Sequence, residues 1–216
     1  CLFGLFGVHC LADKMDYGIV DSSYNRQDLW NMGYCCDISV VPVVVPFEDY
    51  NQEPDAKTLS QYSDGRTNII FVGRIAPNKC QEDVIKAFCL YKKLYDADAR
   101  LILVGSYQGM ETYYEQLQAY VKELGGQDVI FTGHIPFNQI LAFYRTADAF
   151  LCMSEHEGFC IPLLEAMHFQ VPIVAADYAA VGETLGDAGI LLPEKDYMLA
   201  AGAIHRIKTD GALRNM

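Results

Sequence analysis

The sequence lacks the patterns that identify several common classes of nucleotide-binding protein. No predicted strand is followed by Gly-x-Gly-x-x-Gly, the fingerprint of a nicotinamide dinucleotide site, and no Gly-x4-Gly-Lys-Ser/Thr loop of an NTPase is present. Positive charge is also scarce, because 16 basic residues against 28 acidic ones give a net charge of −12. Nucleic acids and anionic lipids need a concentrated basic surface, so this charge argues against nucleic acid as a partner. Any anionic ligand must meet a local cluster of cations.

Long hydrophobic stretches and Cys-x-x-Cys pairs are missing as well. The apolar run at residues 1–12 is shorter than the roughly 20 residues that cross a bilayer, and His9 and Cys10 interrupt it. The eight cysteines are scattered without Cys-x-x-Cys spacing, and no cleavable signal precedes them, which predicts a reduced, cytoplasmic protein. The first residue is not Met and no terminating pattern closes the last segment, so we expect a fragment of a longer chain.

From residue 68 onward, short β-branched runs alternate with segments of helical periodicity, which is the pattern of parallel βαβ units. Strands that are apolar on both faces belong inside a sheet covered by helices on each side. We therefore predict an α/β fold with a Rossmann-like, doubly wound parallel sheet. The predicted strands are residues 68–73, 99–105, 128–133, 149–154, 171–177 and 189–192.

The first 66 residues have a different character. Residues 17–22 predict a strand, 23–32 a helix and 38–45 a further strand or an extended exit from this region. The stretch 48–65 is polar and rich in Asp, Gln, Ser and Pro. We predict three parts: the C-terminal remnant of an N-terminal domain, a linker, and a ligand-binding domain whose C-terminal end is a candidate for truncation. Their boundaries are residues 1–47, 48–66 and 67–216.

Three successive predicted strands end in glycine, at Gly73, Gly105 and Gly133. Ligands of open α/β sheets bind outside the carboxyl ends of the strands, where glycine lets the backbone approach a ligand closely. A glycine that merely starts a turn explains any one of these positions. Three at the same edge of the sheet favour a ligand crevice.

Two cations follow the first of these strands, at Arg74 and Lys79, just before a predicted helix. Positive charge at a helix N-terminus opposes the helix dipole by about 0.3–1 kcal/mol for each charge. An anion held between the cations would remove this conflict, and the free N–H groups of the helix would add donors for a phosphate. The alternative is that Glu82 and Asp83 neutralise both cations as a surface network.

A second constellation lies at residues 154–165, which read Ser-Glu-His-Glu-Gly-Phe-Cys-Ile-Pro-Leu-Leu-Glu. Pro162 suits the first turn of a helix, and the residues before it can direct backbone amides at an anion. Glu157 and Glu165 can face the same crevice, where ionised carboxylates accept hydrogen bonds from the paired hydroxyls of a sugar or ribose. The alternatives are a surface charge for Glu157 and a helix-dipole carboxylate for Glu165.

Gly-Arg-x4-Lys at residues 73–79, followed about 80 residues later by Glu-x7-Glu at 157–165, resembles the C-terminal domain of family 4 (group 1) retaining glycosyltransferases. The resemblance covers about residues 17–195. It implies a GT-B architecture, with a nucleotide-sugar donor on the C-terminal domain and the acceptor mostly on the N-terminal one. The implied reaction moves a sugar from a UDP- or GDP-sugar to a glycan, lipid or other hydroxyl acceptor, as in bacterial polysaccharide biosynthesis, without a metal or other cofactor.

The resemblance also implies a role for individual residues. Arg74 and Lys79 would contact the donor diphosphate beside Gly73, Glu157 the transferred sugar, and Glu165 the ribose hydroxyls. The sugar or distal phosphate would meet the amides of Gly158, Phe159 and Cys160. The base would lie beside Gly133, His134 and Ile135.

Two other functions stay open. A donor-binding fragment without turnover fits the expected loss of much of the acceptor domain, and a sugar-nucleotide epimerase of the same architecture would need acid and base residues that the sequence does not identify. Asp96-Ala-Asp98 would suggest the metal site of the other major glycosyltransferase fold, but it precedes a strand and so lies at the opposite edge of the sheet. Peripheral contact with the inner face of a membrane is expected only through the missing N-terminal region.

Overall fold

A computed structural model describes residues 7–211, so the predicted apolar run at residues 1–12 is described only from residue 7, and residues 212–216 of the predicted third part lie outside it. The N-terminal part contains strand β1 (Tyr17–Val20), helix α1 (Ser23–Asn31) and strand β2 (Asp37–Val40), and the two strands pair in parallel. Within residues 7–211, no helix has both the length and the apolar character needed to cross a membrane.

The main sheet has six parallel strands, which are β3 (Asn68–Val72), β4 (Arg100–Val104), β5 (Val129–Gly133), β6 (Ala149–Cys152), β7 (Ile173–Ala176) and β8 (Ile190–Leu192). They lie in the order β5-β4-β3-β6-β7-β8. The chain adds β4 and β5 on one side of β3 and then crosses to the other side to add β6, β7 and β8. This crossing marks the topological switch point of a doubly wound sheet. The predicted fold class is confirmed, and each predicted strand agrees with the structure to within two residues at either end.

Helices cover both faces of this sheet. They are α2 (Ala56–Tyr62), α3 (Gln81–Leu94), α4 (Glu111–Glu123), α5 (Phe137–Thr146), α6 (Ile161–His168), α7 (Val181–Leu185) and α8 (Tyr197–Thr209). Alternate strand residues enter opposite layers, because side chains of a strand point to opposite faces. Ile69 and Phe71 pack in the layer of α3 and α8, whereas Ile70 and Val72 pack in the layer of α5 and α6. This two-sided burial explains why these strands are apolar throughout.

Residues 48–66, whose polar composition predicts a linker, fold onto the main domain. A 3-10 turn at Phe47–Asn51 carries the buried Tyr50, and α2 ends with the buried Tyr62. The ring of Tyr62 lies edge-on against Phe143 at a centroid distance of 4.9 Å. Composition does not reveal this packing, because two aromatic side chains anchor an otherwise polar segment.

Residues 38–45, predicted as a strand or an extended exit, form a strand only as far as Val40, and residues 41–46 have no regular secondary structure. Pro42 and Pro46 have no backbone N–H to donate to a sheet, so the β-branched residues between them cannot extend the ladder. Val44 is accordingly 88% exposed. Propensity predicts a strand here, and the prolines end it.

The three strand-end glycines lie side by side at the carboxyl edge of the sheet. The N–H of Gly73 donates to the carbonyl of Val104 at 2.9 Å, and Gly105 forms an isolated bridge with Gly133. A Cβ atom on Gly105 would lie 2.0 Å from the carbonyl oxygen of Gly73. Position 105 must therefore be glycine for the segments that follow β3 and β4 to run this close together.

Gly105→Ala is therefore expected to lower the free energy of unfolding by roughly 2–4 kcal/mol, because the added methyl group meets backbone and φ is +157°. Gly125→Ala is the matched control: its φ is +63°, but no atom lies within 4 Å of the added Cβ, so it should lose only about 1 kcal/mol. Urea unfolding followed by circular dichroism measures both, and equal losses would contradict the steric account.

Candidate functional site

Two loops meet at the switch point, one after β3 (residues 73–80) and one after β6 (residues 153–160). Asn78 joins them, because its carbonyl accepts the N–H of Glu155 at 3.0 Å and its side-chain amide donates to the carbonyl of His156 at 3.1 Å. The two loops lead into α3 and α6. Because Asn78 holds the loops together, both helices begin at the switch point. The N–H of Gln81 already donates to the hydroxyl of Tyr113 and that of Leu163 to the carbonyl of Cys160, so it is mainly the partial positive charge of the two helix starts that favours an anion at this edge.

Lys79 and Glu157 form an ion pair across the switch point. The distance from Lys79 Nζ to Glu157 Oε2 is 2.6 Å, and Glu157 is only 8% exposed. Glu157 is thus a largely buried carboxylate that faces a cation from the neighbouring loop. The sequence assigns the two residues to different parts of a donor, and the structure brings them into direct contact.

Glu82 and Asp83, the alternative partners of the cations, make other contacts. The hydroxyl of Tyr113 donates to Glu82, and Asp83 accepts hydrogen bonds from Lys195 and from the hydroxyl of Tyr197, each at 2.7 Å. These contacts do not support neutralisation of Lys79 by the first turn of α3. The positive charge of Lys79 is instead balanced from the loop after β6.

Lys195 connects α3 to the loop after β6, a contact that the sequence pattern does not predict. Its Nζ lies 2.7 Å from a carboxylate oxygen of Asp83 in α3 and 2.7 Å from one of Glu155 in the loop after β6. Burial alone would lower the pKa of Lys195, but the hydrogen bonds to these carboxylates outweigh it and raise the pKa above its ordinary value. Lys195 therefore stays charged and holds α3 and the loop after β6 together.

Arg74 lies apart from the ion pair, over the loop that follows β4. Its guanidinium donates to the carbonyl of Gln108 at 2.9 Å, and its side chain is exposed. The loop after β4 and the loop after β3 are at the same edge of the sheet. Arg74 therefore lies at the carboxyl edge of the sheet, as predicted, but its hydrogen-bond partner is a backbone carbonyl and not a carboxylate.

Glu165 accepts hydrogen bonds from two tyrosines. The hydroxyl of Tyr50 lies 2.5 Å from Oε1 and that of Tyr144 lies 2.6 Å from Oε2. Burial, and next the nearby carboxylate, raises the pKa of both tyrosines, which keeps their hydroxyls protonated as donors. An ionised carboxylate has about four lone-pair positions, so these two bonds leave acceptor capacity for further hydroxyls. Neither tyrosine stands in a motif that the sequence analysis could use.

The predicted base region lies at the end of β5. Gly133 has a φ of +67°, and the ring of Tyr107 would lie 3.5 Å from a Cβ atom placed on it. Tyr107 stacks on Tyr114 with a centroid distance of 4.0 Å, while His134 is exposed. The structure thus adds a tyrosine pair to this region, which strand-end glycines alone do not predict.

The N-terminal part contacts the loop that carries Glu157. The side-chain amide of Asn25 lies 3.5 Å from the carbonyl of Gly158. Glu183 in α7 accepts the N–H groups of Ser23 at 2.9 Å and Tyr24 at 3.2 Å, at the start of α1. Burial opposes ionisation of Glu183, but these backbone hydrogen bonds outweigh it and lower its pKa. Glu183 therefore stabilises the start of α1 as a charged group.

Two groups of side chains within residues 7–211 have the donor atoms and spacing to hold a metal ion. They are Cys80 with Asp83 and Glu155, and Cys152 with Glu157 and Cys160. The first group already surrounds the ammonium of Lys195. The second includes Glu157, the carboxylate that pairs with Lys79.

The ion pair between Lys79 and Glu157 is expected to contribute to the free energy of unfolding. Lys79→Met should lower the free energy of unfolding by about 1–3 kcal/mol, since it leaves a largely buried carboxylate without its cation. The double variant Lys79→Met/Glu157→Gln should recover most of this loss, because no unpaired charge remains. Thermal and urea unfolding of the single and double variants give the coupling free energy.

Arg206 and Asp210 provide the control cycle, with side chains 71% and 43% exposed and 3.9 Å apart. Their coupling should be below about 0.5 kcal/mol, as for exposed helix pairs. A coupling between Lys79 and Glu157 that is no larger than this would contradict the assigned pairing.

Comparisons with known proteins agree with this architecture. The family model described as "Glycosyl transferases group 1" matches residues 55–216. D-inositol 3-phosphate glycosyltransferase of Acidothermus cellulolyticus is 31% identical over 150 residues, which are 66% of this chain and 34% of that protein. O-antigen chain mannosyltransferase RfbU of Salmonella typhimurium is 30% identical over 191 residues, which are 88% of this chain and 50% of that protein. The chain thus spans between a third and a half of the length of these relatives.

Among solved structures, Anabaena HepE in complex with UDP and glucose superposes on this chain with a TM-score of 0.84 at 20% identity. The match covers 100% of this chain and 60% of HepE, and confirms the predicted GT-B fold. The family model extends over most of the chain and includes both the Gly-Arg-x4-Lys and the Glu-x7-Glu motifs. The chain therefore belongs to the group 1 glycosyltransferases.

Proposed function

We propose that this chain is the donor-binding part of a retaining glycosyltransferase, which transfers a hexosyl group from a UDP- or GDP-sugar to a hydroxyl of a glycan or lipid-linked acceptor. The observation that carries the proposal is the Lys79–Glu157 pair at the switch point, between the starts of two helices. A cation and a carboxylate side by side match the two halves of such a donor. Phosphate oxygens need positive charge, and sugar hydroxyls need an acceptor.

In this proposal the diphosphate binds at the N-termini of α3 and α6, where Lys79 turns from Glu157 to a phosphate oxygen and Arg74 approaches from the loop after β4. The amides of Gly158, Phe159 and Cys160 donate to the sugar or distal phosphate. Glu157, released from Lys79, accepts a hydrogen bond from the transferred sugar. The ion pair of the free protein thus holds both groups near their working positions before the donor arrives.

The proposed reaction breaks the bond between the anomeric carbon and the phosphate oxygen. The bonding electrons leave with the nucleoside diphosphate, and the acceptor hydroxyl oxygen forms the new bond on the same face while its proton passes to a departing phosphate oxygen. Lys79, Arg74 and the helix amides stabilise the negative charge that develops on the leaving group, which is often the largest catalytic contribution. This scheme uses no covalent nucleophile, and we propose that it needs no metal.

Glu165 is proposed to bind the ribose. Its two tyrosine partners, Tyr50 and Tyr144, fix the carboxylate and leave lone pairs for the 2′- and 3′-hydroxyls. The base would lie by Gly133, His134 and Ile135, close to the ring of Tyr107. The relatives support a sugar transfer of this class: HepE was crystallised with UDP and glucose, and the Salmonella relative is a mannosyltransferase.

The acceptor would bind mainly to parts of the whole enzyme that precede this chain, since the chain spans half or less of the two curated relatives. A lipid-linked acceptor would bring the cytoplasmic enzyme to the inner face of the membrane through that region. The chain by itself is then expected to bind the donor without turnover.

Nucleotide binding tests the donor site. UDP or GDP at 100 times its Kd should raise the free energy of unfolding by about 2.7 kcal/mol, seen as a higher melting temperature, because the ligand binds only the folded state. Lys79→Ala and Glu165→Ala should each weaken binding by about 10- to 100-fold, the effect of losing a charged hydrogen bond. Lys93→Ala, which removes an exposed cation from the end of α3, is the matched control and should bind normally.

The proposal fails if UDP, GDP and ADP all leave the melting temperature unchanged, or if both site variants bind like the wild type. Turnover is tested separately with the full-length protein and a labelled donor. Transfer of the label to an acceptor supports a transferase, whereas recovery of the label in an epimeric nucleotide sugar would support an epimerase.

A further inference from the structure

Two buried cysteines flank the loop that carries Glu157. Cys152 is the last residue of β6, and Cys160 is the residue before α6. One carboxylate oxygen of Glu157 and the two sulfur atoms all lie within 4.8 Å of one another. The exposed fractions are 1% for Cys152, 5% for Cys160 and 8% for Glu157. Three potential ligand atoms thus converge inside the protein, at the base of the candidate site.

The backbone of Cys160 is strained. Cys160 has a φ of +65° and a ψ of +60°, the left-handed conformation, which costs a non-glycine residue roughly 1–2 kcal/mol. Glycine would adopt this turn without strain. Strained residues persist where the surrounding structure fixes them, and they cluster at functional sites. Here the strained residue carries one of the converging sulfur atoms.

The ligand set is that of a soft divalent cation. Zinc binds cysteine sulfur at about 2.3 Å and carboxylate oxygen at about 2.0–2.2 Å in a tetrahedron, so its ligand atoms lie about 3.5–3.8 Å apart. Atoms already within 4.8 Å need to move by about 1 Å or less to reach these spacings. Thiolates favour zinc-class ions over magnesium, which prefers oxygen ligands.

We propose that Cys152, Cys160 and Glu157 form a binding site for a zinc-class divalent cation. On binding, the two thiols lose their protons to solvent and the cation takes the place of Lys79 as the partner of Glu157. The side chain of Lys79 is 22% exposed, so its ammonium can turn to water when it leaves the carboxylate. The fourth position of the tetrahedron is left for a water molecule.

The other group of potential ligands, at Cys80, is less suited to a metal ion. Cys80, Asp83 and Glu155 offer one sulfur and two carboxylates, and the ammonium of Lys195 already lies 2.7 Å from each carboxylate. Lys195 is held on three sides and is only 12% exposed. A metal ion there would have to expel a buried cation, whereas the Cys152 site offers two thiols and a carboxylate with a single, more exposed cation against it.

The site stands independently of the proposed function, but one consequence rests on it. If Glu157 contacts the transferred sugar, a cation bound by Glu157 competes with the donor for this carboxylate. Soft metal ions would then inhibit sugar transfer, and a chelator would restore it. Metal binding itself is measured without any nucleotide or acceptor.

Cobalt is the probe for the test, because thiolate-to-Co²⁺ charge transfer and the visible bands of tetrahedral Co²⁺ report both ligand type and geometry. The 216-residue protein is titrated without oxygen in a Cys10→Ser/Cys35→Ser/Cys36→Ser background, which removes two exposed thiols and one half-buried thiol. We expect both absorptions to saturate at one equivalent of Co²⁺ and to disappear when Zn²⁺ is added. The apparent affinity should rise with pH, since binding releases protons.

Variants of the three ligands give the decisive comparison. Cys160→Gly suits the left-handed backbone and should fold, as checked by circular dichroism, but should lower Co²⁺ affinity by more than the 10- to 100-fold typical of outer-sphere partners. Cys152→Ala should act in the same way, which keeps the test decisive if one variant is unstable. Glu157→Gln should weaken binding while thiolate charge transfer remains. Cys89→Ser, which changes a half-buried cysteine outside the group, should bind normally.

The proposal is overturned if no charge-transfer band saturates at one equivalent, or if the band survives unchanged in folded Cys160→Gly or Cys152→Ala. Failure of this test leaves the nucleotide shifts untouched, because those are measured with a chelator present. Failure of the nucleotide shifts equally leaves cobalt binding unaffected, so the two proposals are separated by experiment.

Discussion

The ion pair between Lys79 and Glu157 is the constraint on which the site depends. It joins the loop after β3 to the loop after β6, where the strand order reverses and two helices begin. Asn78 joins the two loops beside it, and Lys195 ties the first turn of α3 to the loop after β6. A cation near a helix start and a largely buried carboxylate are each unfavourable alone, but in the ion pair each stabilises the other.

The fold could be predicted from the sequence because its signals are local. Strands buried on both faces read as short apolar runs, and helical spacing separates them, so both the fold class and the six strands of the sheet follow from periodicity. The sequence also indicates the positions of Lys79 and Glu157, since each follows a strand and precedes a helix. Their contact is not visible in the sequence, because it depends on which strands are neighbours at the switch point.

Other parts of the site depend on contacts between distant residues, which periodicity cannot report. Tyr50 reaches Glu165 across 115 positions of sequence, and Lys195 reaches Asp83 across 112. The polar composition of residues 48–66 predicts a linker and conceals the aromatic anchors that pack it onto the main domain. The same limitation applies to Cys152 and Cys160, whose eight-residue separation shows no familiar metal-binding spacing, although the loop between them brings their sulfur atoms together.

A crystal structure of the 216-residue protein with bound UDP or GDP tests the central claim most directly. The account predicts the distal phosphate within hydrogen-bonding distance of Lys79 Nζ and of backbone amides at residues 158–160, with the 2.6 Å contact between Lys79 and Glu157 broken. It would be contradicted by a nucleotide bound at the amino ends of the strands, in the depression of about 270 Å³ beside Lys92, Lys93 and Gly125, with the ion pair intact.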